Sequence, residues 1–141
     1  MMTSDVKLRQ GNAAWFEMVG RLMIEAASRS GLSPELDLSL VERYSDGAEL
    51  SEGLLQGIRF DIRGGVPSFR VGVGREERGD VTIEITAAAA RELNRLRSVD
   101  PSYPNSRDRF LSTGEMRVEG DPSRLGDWLD GVHDPIVDRT I

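Results

Sequence analysis

The chain has 141 residues, 38% of them apolar and 30% charged, with a net charge of −6 and an isoelectric point near 4.9. That size and balance fit one folded domain with a real core, and the acidic surplus argues against a surface built to neutralise nucleic-acid phosphate or to dock on anionic lipid. The absence of cysteine excludes disulfides, thiolate catalysis and cysteine-held metal or iron–sulfur centres, and no apolar run approaches the roughly 18 residues that span a bilayer.

Asn12 is a helix cap, and Trp15, Phe16, Val19, Leu22, Met23 and Ala26 follow it at helical spacing. Glu17, Arg21, Glu25 and Arg29 alternate in sign on the opposite face. Gly31 suits the position just past the end. The first helix therefore covers about residues 12–30. In "LDLSLVERY", Leu36, Leu38 and Leu40 alternate with Asp37, Ser39 and Val41, as in a strand. "SDGAELSEG" reads as a loop or short helical turn. Ile58, Phe60 and Ile62 then alternate with Arg59, Asp61 and Arg63, and the return strand carries Phe69, Val71 and Val73. Gly64-Gly65 is the turn between them, since both residues tolerate positive φ. Val81, Ile83 and Ile85 mark a further strand, and Thr86 caps a helix with Ala89, Leu93 and Leu96 inward.

"SVDPSYPNS" reads as a Pro/Ser loop and "SRDRFLST" as a short helix. "EMRVEG" is the last strand, and "DPSRLGDWLDGV" the last clear helix, with a break expected at Pro135. The sheet and later helices occupy about residues 35–132. The expectation is a single α+β domain over residues 1–141: one five-stranded, mostly antiparallel sheet with helices packed on one face. Each strand alternates, so the other sheet face should be wet or polar.

Glu115, Glu119 and Asp121 lie close together in "GEMRVEGD" and raise the question of a metal or acid–base site. The period of two instead sends Glu115, Arg117 and Glu119 to one outer face, away from Met116 and Val118. Asp121-Pro122 is a helix start. No spacing supplies a third metal ligand. His133, the single histidine, precedes Asp134. Adjacent side chains seldom meet, so the pair reads as structural, near a helix C-terminus, not as a general base. Gly72-Val73-Gly74 ends a strand without the third glycine or the following helix of a dinucleotide loop. Arg107, Arg109, Arg117 and Arg124 read as solvated surface, with an anionic head group as the alternative if they cluster. No catalytic, metal or cofactor motif is predicted.

Two stretches, "GDVTIEITAAAARELNRL" and "RFLSTGEMRVEGDPSRLGDWL", resemble the sterol carrier protein-2 (SCP2) family. The matching positions are Gly79 to Ile85, Gly114, Met116, Val118, Gly120 and Asp121, and the hairpin from Ile58 to Val73 fits that family's first antiparallel strands. The likeness runs over roughly Glu35 to Val132. It departs from the family pattern in the longer link "RSVDPSYPNSRDR", in the bulky first helix with Trp15, and in Arg117 where lysine is frequent.

The resemblance implies an apolar cavity between sheet and helices. It also implies non-covalent binding of a sterol, fatty acid or acyl-CoA, without stable membrane insertion. A cytoplasmic protein is expected from the lack of cysteine, of an apolar span and of a signal-like segment. Phe60, Phe69, Phe110, Leu111, Met116, Trp128 and Leu129 are the expected lining. The alternatives are a small α+β isomerase or cyclase acting on a ring-containing substrate, and an accessory or dimerisation module, such as a homodimer, with a filled core. Periodicity does not separate them, because a cavity is unfilled space and leaves no repeat.

Overall fold

The computed structural model describes residues 6–141. Helix α1 (Ala13–Arg29) starts where Asn12 accepts a hydrogen bond from the Trp15 amide, 2.8 Å away. Strands β1 (Leu38–Tyr44), β2 (Glu49–Ser51), β3 (Leu54–Arg63), β4 (Val66–Val73) and β5 (Val81–Ile85) follow. Then come α2 (Ala87–Leu93), α3 (Ser102–Thr113), β6 (Met116–Glu119), a 3-10 turn (Pro122–Leu125), α4 (Trp128–Gly131) and α5 (His133–Asp138).

The fold is α+β, with one sheet and the helices over one of its faces. The sheet has six strands, not five, because β2 forms inside the stretch expected to be a loop. β3 pairs antiparallel with β1, β2 and β4, and β5 pairs antiparallel with β6. The centre of the sheet is mixed: β1 and β5 run parallel, joining Leu40 to Val81 and Tyr44 to Ile85. Such a pair needs a crossover, and the β2–β3–β4 segment supplies it.

The registers put Leu38, Leu40, Glu42 and Tyr44 of β1 beside Ile62, Phe60 and Ile58 of β3 and Val81, Ile83 and Ile85 of β5. Phe69 and Val71 of β4 and Met116 and Val118 of β6 complete this helix-facing surface. Its centre is dry: Leu38, Leu40, Phe60 and Val81 are fully buried.

The opposite face is polar, one of the two expected alternatives, but its centre is not wet. Ser39, Val41, Arg43 and Thr82 are buried there as well, because the chain between β4 and β5 folds over them. Arg43 donates to the carbonyls of Gly74 (3.0 Å) and Glu77 (2.8 Å) and pairs with Glu84 at 2.9 Å. Further out, Glu77 accepts from both Arg59 and Arg70, and Glu119 pairs with Arg78. This face is a charged lattice with its centre roofed by a loop.

The helical region differs from expectation in several places. α2 ends at Leu93, so Leu96 lies beyond it and not on its inner face. α3 begins at Ser102, inside the expected Pro/Ser loop. Pro101 and Pro104 fall at its start, where amide protons have no helical partner to lose. The last helix is broken at Gly126, whose φ of +117° lies outside the helical range. Pro135 does not break the chain; it sits in the first turn of α5, where its missing N–H costs nothing. The segment is tied down from the other end. Leu8 bridges Thr140, with Leu8 N donating to Arg139 O and Ile141 N donating to Leu8 O, and the Trp15 indole donates to Thr140 Oγ1 at 2.9 Å.

α1 lies on the hairpin strands through Gly20. A Cβ there would stand 2.3 Å from the Phe69 ring, so the absence of a side chain sets the helix-to-sheet distance. Gly20→Ala gains about 1 kcal/mol of helix propensity and meets an overpacking cost of about 1–3 kcal/mol. Net destabilisation is expected in urea unfolding; a raised midpoint would contradict this packing.

Candidate ligand cavity

Between the sheet and the helices lies a cavity of about 340 Å³. Its floor is the helix-facing side of β1, β3, β5 and β6, with Ile58, Ile83, Met116 and Val118 on it. α1 forms one wall through Phe16, Val19 and Met23. α2 forms another through Ala90 and Leu93, and Leu111, Leu129 and Ile136 come from the later helices. The run Ala87–Ala90 explains part of the space. Ala90 presents only a methyl group over the floor, and so short a side chain cannot reach the opposite wall.

Of the seven residues expected to line a ligand site, Leu111, Met116 and Leu129 border this cavity. Leu111 is 45% exposed, which places it at the rim. Phe60, Phe110 and Trp128 lie instead within the core, with the Phe60 and Trp128 ring centroids 5.3 Å apart and the Trp128 indole donating to Leu125 O at 2.7 Å. Phe69 is occupied by its contact with Gly20. Alternation identified their inward direction but not which of them meet a neighbour.

The polar residues on the wall were not anticipated as a group. Glu42 stands on β1 in the register of Leu38 and Leu40, with Ile58 and Ile83 as its cross-strand neighbours. Among the described residues none donates a hydrogen bond to its carboxyl or forms an ion pair with it. Glu42 is part-exposed towards the cavity, and desolvation in this apolar setting pushes its pKa up to about 7. The sequence did carry a signal: "LSLVERY" places an acid at the third inward position of a strand.

Tyr44, next on the same face, accepts from Gln10 Nε2 at 2.9 Å, and burial pushes its phenol up to about 12. Tyr103 stacks on His133 with centroids 4.1 Å apart, Arg107 lies 5.6 Å from the Tyr103 centroid, and burial raises the Tyr103 pKa as well.

His133 opens α5 and does not close a helix as expected. Its Nε2 lies 2.7 Å from Leu96 O. A carbonyl can only accept, so Nε2 carries the proton. Asp134 turns away and accepts from the Ser98 amide and hydroxyl at 2.8 and 2.7 Å, which holds its carboxyl below the usual range. The Asp–His neighbours therefore form no dyad.

The acids of the last strand face outward, as alternation predicted. Glu115, Glu119 and Asp121 are exposed. Glu115 accepts from Thr113, and Asp121 caps the 3-10 turn by accepting from Ser123 N at 3.0 Å. No group of His, Asp and Glu among the described residues is disposed to hold a metal. Arg109 and Arg117 pair with Glu92 and Glu84, and Arg107 lies over the Tyr103 ring. β4 ends at Val73, and Gly74 leads into a loop.

No family model and no curated protein matches this sequence. Solved structures do. The chain is similar to a crystal structure of sterol carrier protein 2, with a TM-score of 0.54 and 15% identity over 94% of this chain and 100% of that one. It is also similar to the solution structure of a conserved hypothetical protein from Thermus thermophilus, offered as a candidate sterol carrier protein. There the TM-score is 0.51 and the identity 15%, over 94% of this chain and 87% of that one. The fold is SCP2-like, as the sequence resemblance implied. No helix among the described residues is long and apolar enough to cross a membrane.

Proposed function

We propose that this protein binds a lipid, fatty-acyl or sterol-like molecule non-covalently between its sheet and its helices, as a cytoplasmic carrier. The observation that supports the reading is the 340 Å³ space itself, walled chiefly by aliphatic and aromatic side chains. That volume lies at the lower end of the roughly 300–1,000 Å³ common for small-molecule sites. The solved structures named for sterol carrier protein 2 share the fold, which fits the same reading. Leu111, Met116 and Leu129 would touch the ligand, and Phe60, Phe110 and Trp128 would form the layer behind them. Binding would draw on about 25 cal/mol per Å² of apolar surface removed from water, less the cost of ordering the ligand.

An acid–base enzyme has less support. Glu42 has no hydrogen-bonded partner among the described residues, and the His133 Nε2 proton is already committed to Leu96. Nile red, a neutral apolar fluorophore, should bind with one-to-one stoichiometry, and Ala90→Phe should weaken it by about tenfold or more by filling the space. Circular dichroism checks that the variant is folded. Equal binding by a folded Ala90→Phe protein, or no binding by the parent, contradicts the proposal.

A further inference from the structure

The cavity wall is mostly apolar, and one of its ionisable groups stands on the sheet floor where apolar residues are the rule. Glu42 lies between Leu40 and Tyr44 on the helix-facing side of the central strand, and its cross-strand neighbours are Ile58 and Ile83. Its sequence neighbour Arg43 projects through the opposite face to Glu84, so the nearest cation along the chain is unavailable to it by the strand's period of two.

The other ionisable groups on the wall do not compensate it. Arg107 lies against the Tyr103 ring, the His133 Nε2 proton goes to Leu96 O, and Asp130 adds a second carboxylate. Beside Glu42 stands a run of aromatic rings: Trp15 to Phe16 at 5.0 Å and Phe16 to Tyr44 at 5.5 Å, all three on the cavity wall. A carboxylate without an internal counter-charge, next to aromatic faces, is the chemistry that receives an ammonium group.

We propose that Glu42 anchors the head of the bound amphiphile and that this head is a basic nitrogen, with the apolar portion lying along Ile83, Met116 and Leu129. The inference rests on the proposed apolar-ligand function and narrows it. A carboxylate head at the same place would put a second negative charge beside Glu42 in a poorly screened site. A hydroxyl head would donate a hydrogen bond but would leave the charge uncompensated. The desolvation of Glu42 is already met in the folded protein, so an arriving ammonium finds a prepared partner.

The test is calorimetric titration at pH 8 with three ligands of equal chain length, decylamine, decanol and decanoate, against the parent protein and Glu42→Gln. Decylamine should bind the parent about tenfold or more tighter than either other ligand. In Glu42→Gln that preference should vanish while decanol binding persists. Decanoate or decanol binding as tightly as decylamine, or an amine preference that survives in Glu42→Gln, overturns the assignment and leaves the apolar-ligand function standing. If none of the three binds, both fall.

Discussion

Phe60→Ala is expected to lower the unfolding free energy by about 3–5 kcal/mol, the range for deleting a fully buried aromatic side chain. Phe60 is fully buried on β3, faces Leu40 and Phe69 across the neighbouring strands, and packs against Trp128. The loss includes about 0.5–1.5 kcal/mol from the aromatic pair. Against a typical total of roughly 5–15 kcal/mol this is a large fraction, and urea unfolding would show it as a lowered midpoint with an unchanged slope. Leu111→Ala is the control. Leu111 is 45% exposed at the rim, so its truncation should cost less than about 1 kcal/mol. Similar values for the two variants would mean that Phe60 borders the cavity instead of the core.

The second large effect is electrostatic and changes with pH. The pKa of Glu42 is about 7 in the folded chain, against an ordinary value of 4.5. Below pH 4.5 the group is protonated in both folded and unfolded chains and adds no pH dependence. Between pH 4.5 and 7 the folded protein holds a proton that the unfolded chain has released, so stability falls as pH rises. Above pH 7 the penalty is complete and amounts to about 3 kcal/mol at most, since cavity access lessens it.

Glu42→Gln removes the charge and therefore the slope. The variant should gain stability relative to the parent from pH 5 to pH 8. Glu77 and Glu84 act in the opposite sense. For Glu84 the Arg43 hydrogen bonds are the main cause of a lowered pKa; for Glu77 the bonds from Gly74, Arg59 and Arg70 outweigh its burial. Their contribution is present above pH 4.5 and is lost below it, so acid unfolding separates the two effects. Parallel stability–pH profiles for parent and Glu42→Gln would show that the carboxyl is not in an apolar setting.

The parts of this fold that could be read in the sequence are those whose side chains repeat. The α1 stripe from Trp15 to Met23, the hairpin around Gly64-Gly65 and the outward row at Glu115, Arg117 and Glu119 all follow from period and turn chemistry. Gly64 and Gly65 both take positive φ, 55° and 77°. What escaped was set by partners. β2 is three residues long and becomes a strand only because Leu54 and Leu55 lie opposite it. The parallel pairing of β1 with β5 joins segments about forty residues apart and has no local mark.

Glu42 escaped for a different reason. The alternation read from the sequence stops at Val41 and does not place Glu42, which continues the inward register of β1 beside Ile83 and lies on the cavity wall. The choice among aromatic residues also lay beyond pattern. Phe60, Phe110 and Trp128 point inward as expected, but the open space falls beside Ala90 and Ile83, where short or distant side chains fail to meet.

The proposed function requires that space to be a receptacle for a ligand. Native mass spectrometry of the purified protein, followed by solvent extraction and then addition of decylamine and a sterol, measures this directly. The expected result is a single non-covalent adduct that extraction removes and an apolar amphiphile restores at one per chain. A protein that is empty throughout, and whose mass and stability are unchanged by either compound, would contradict it.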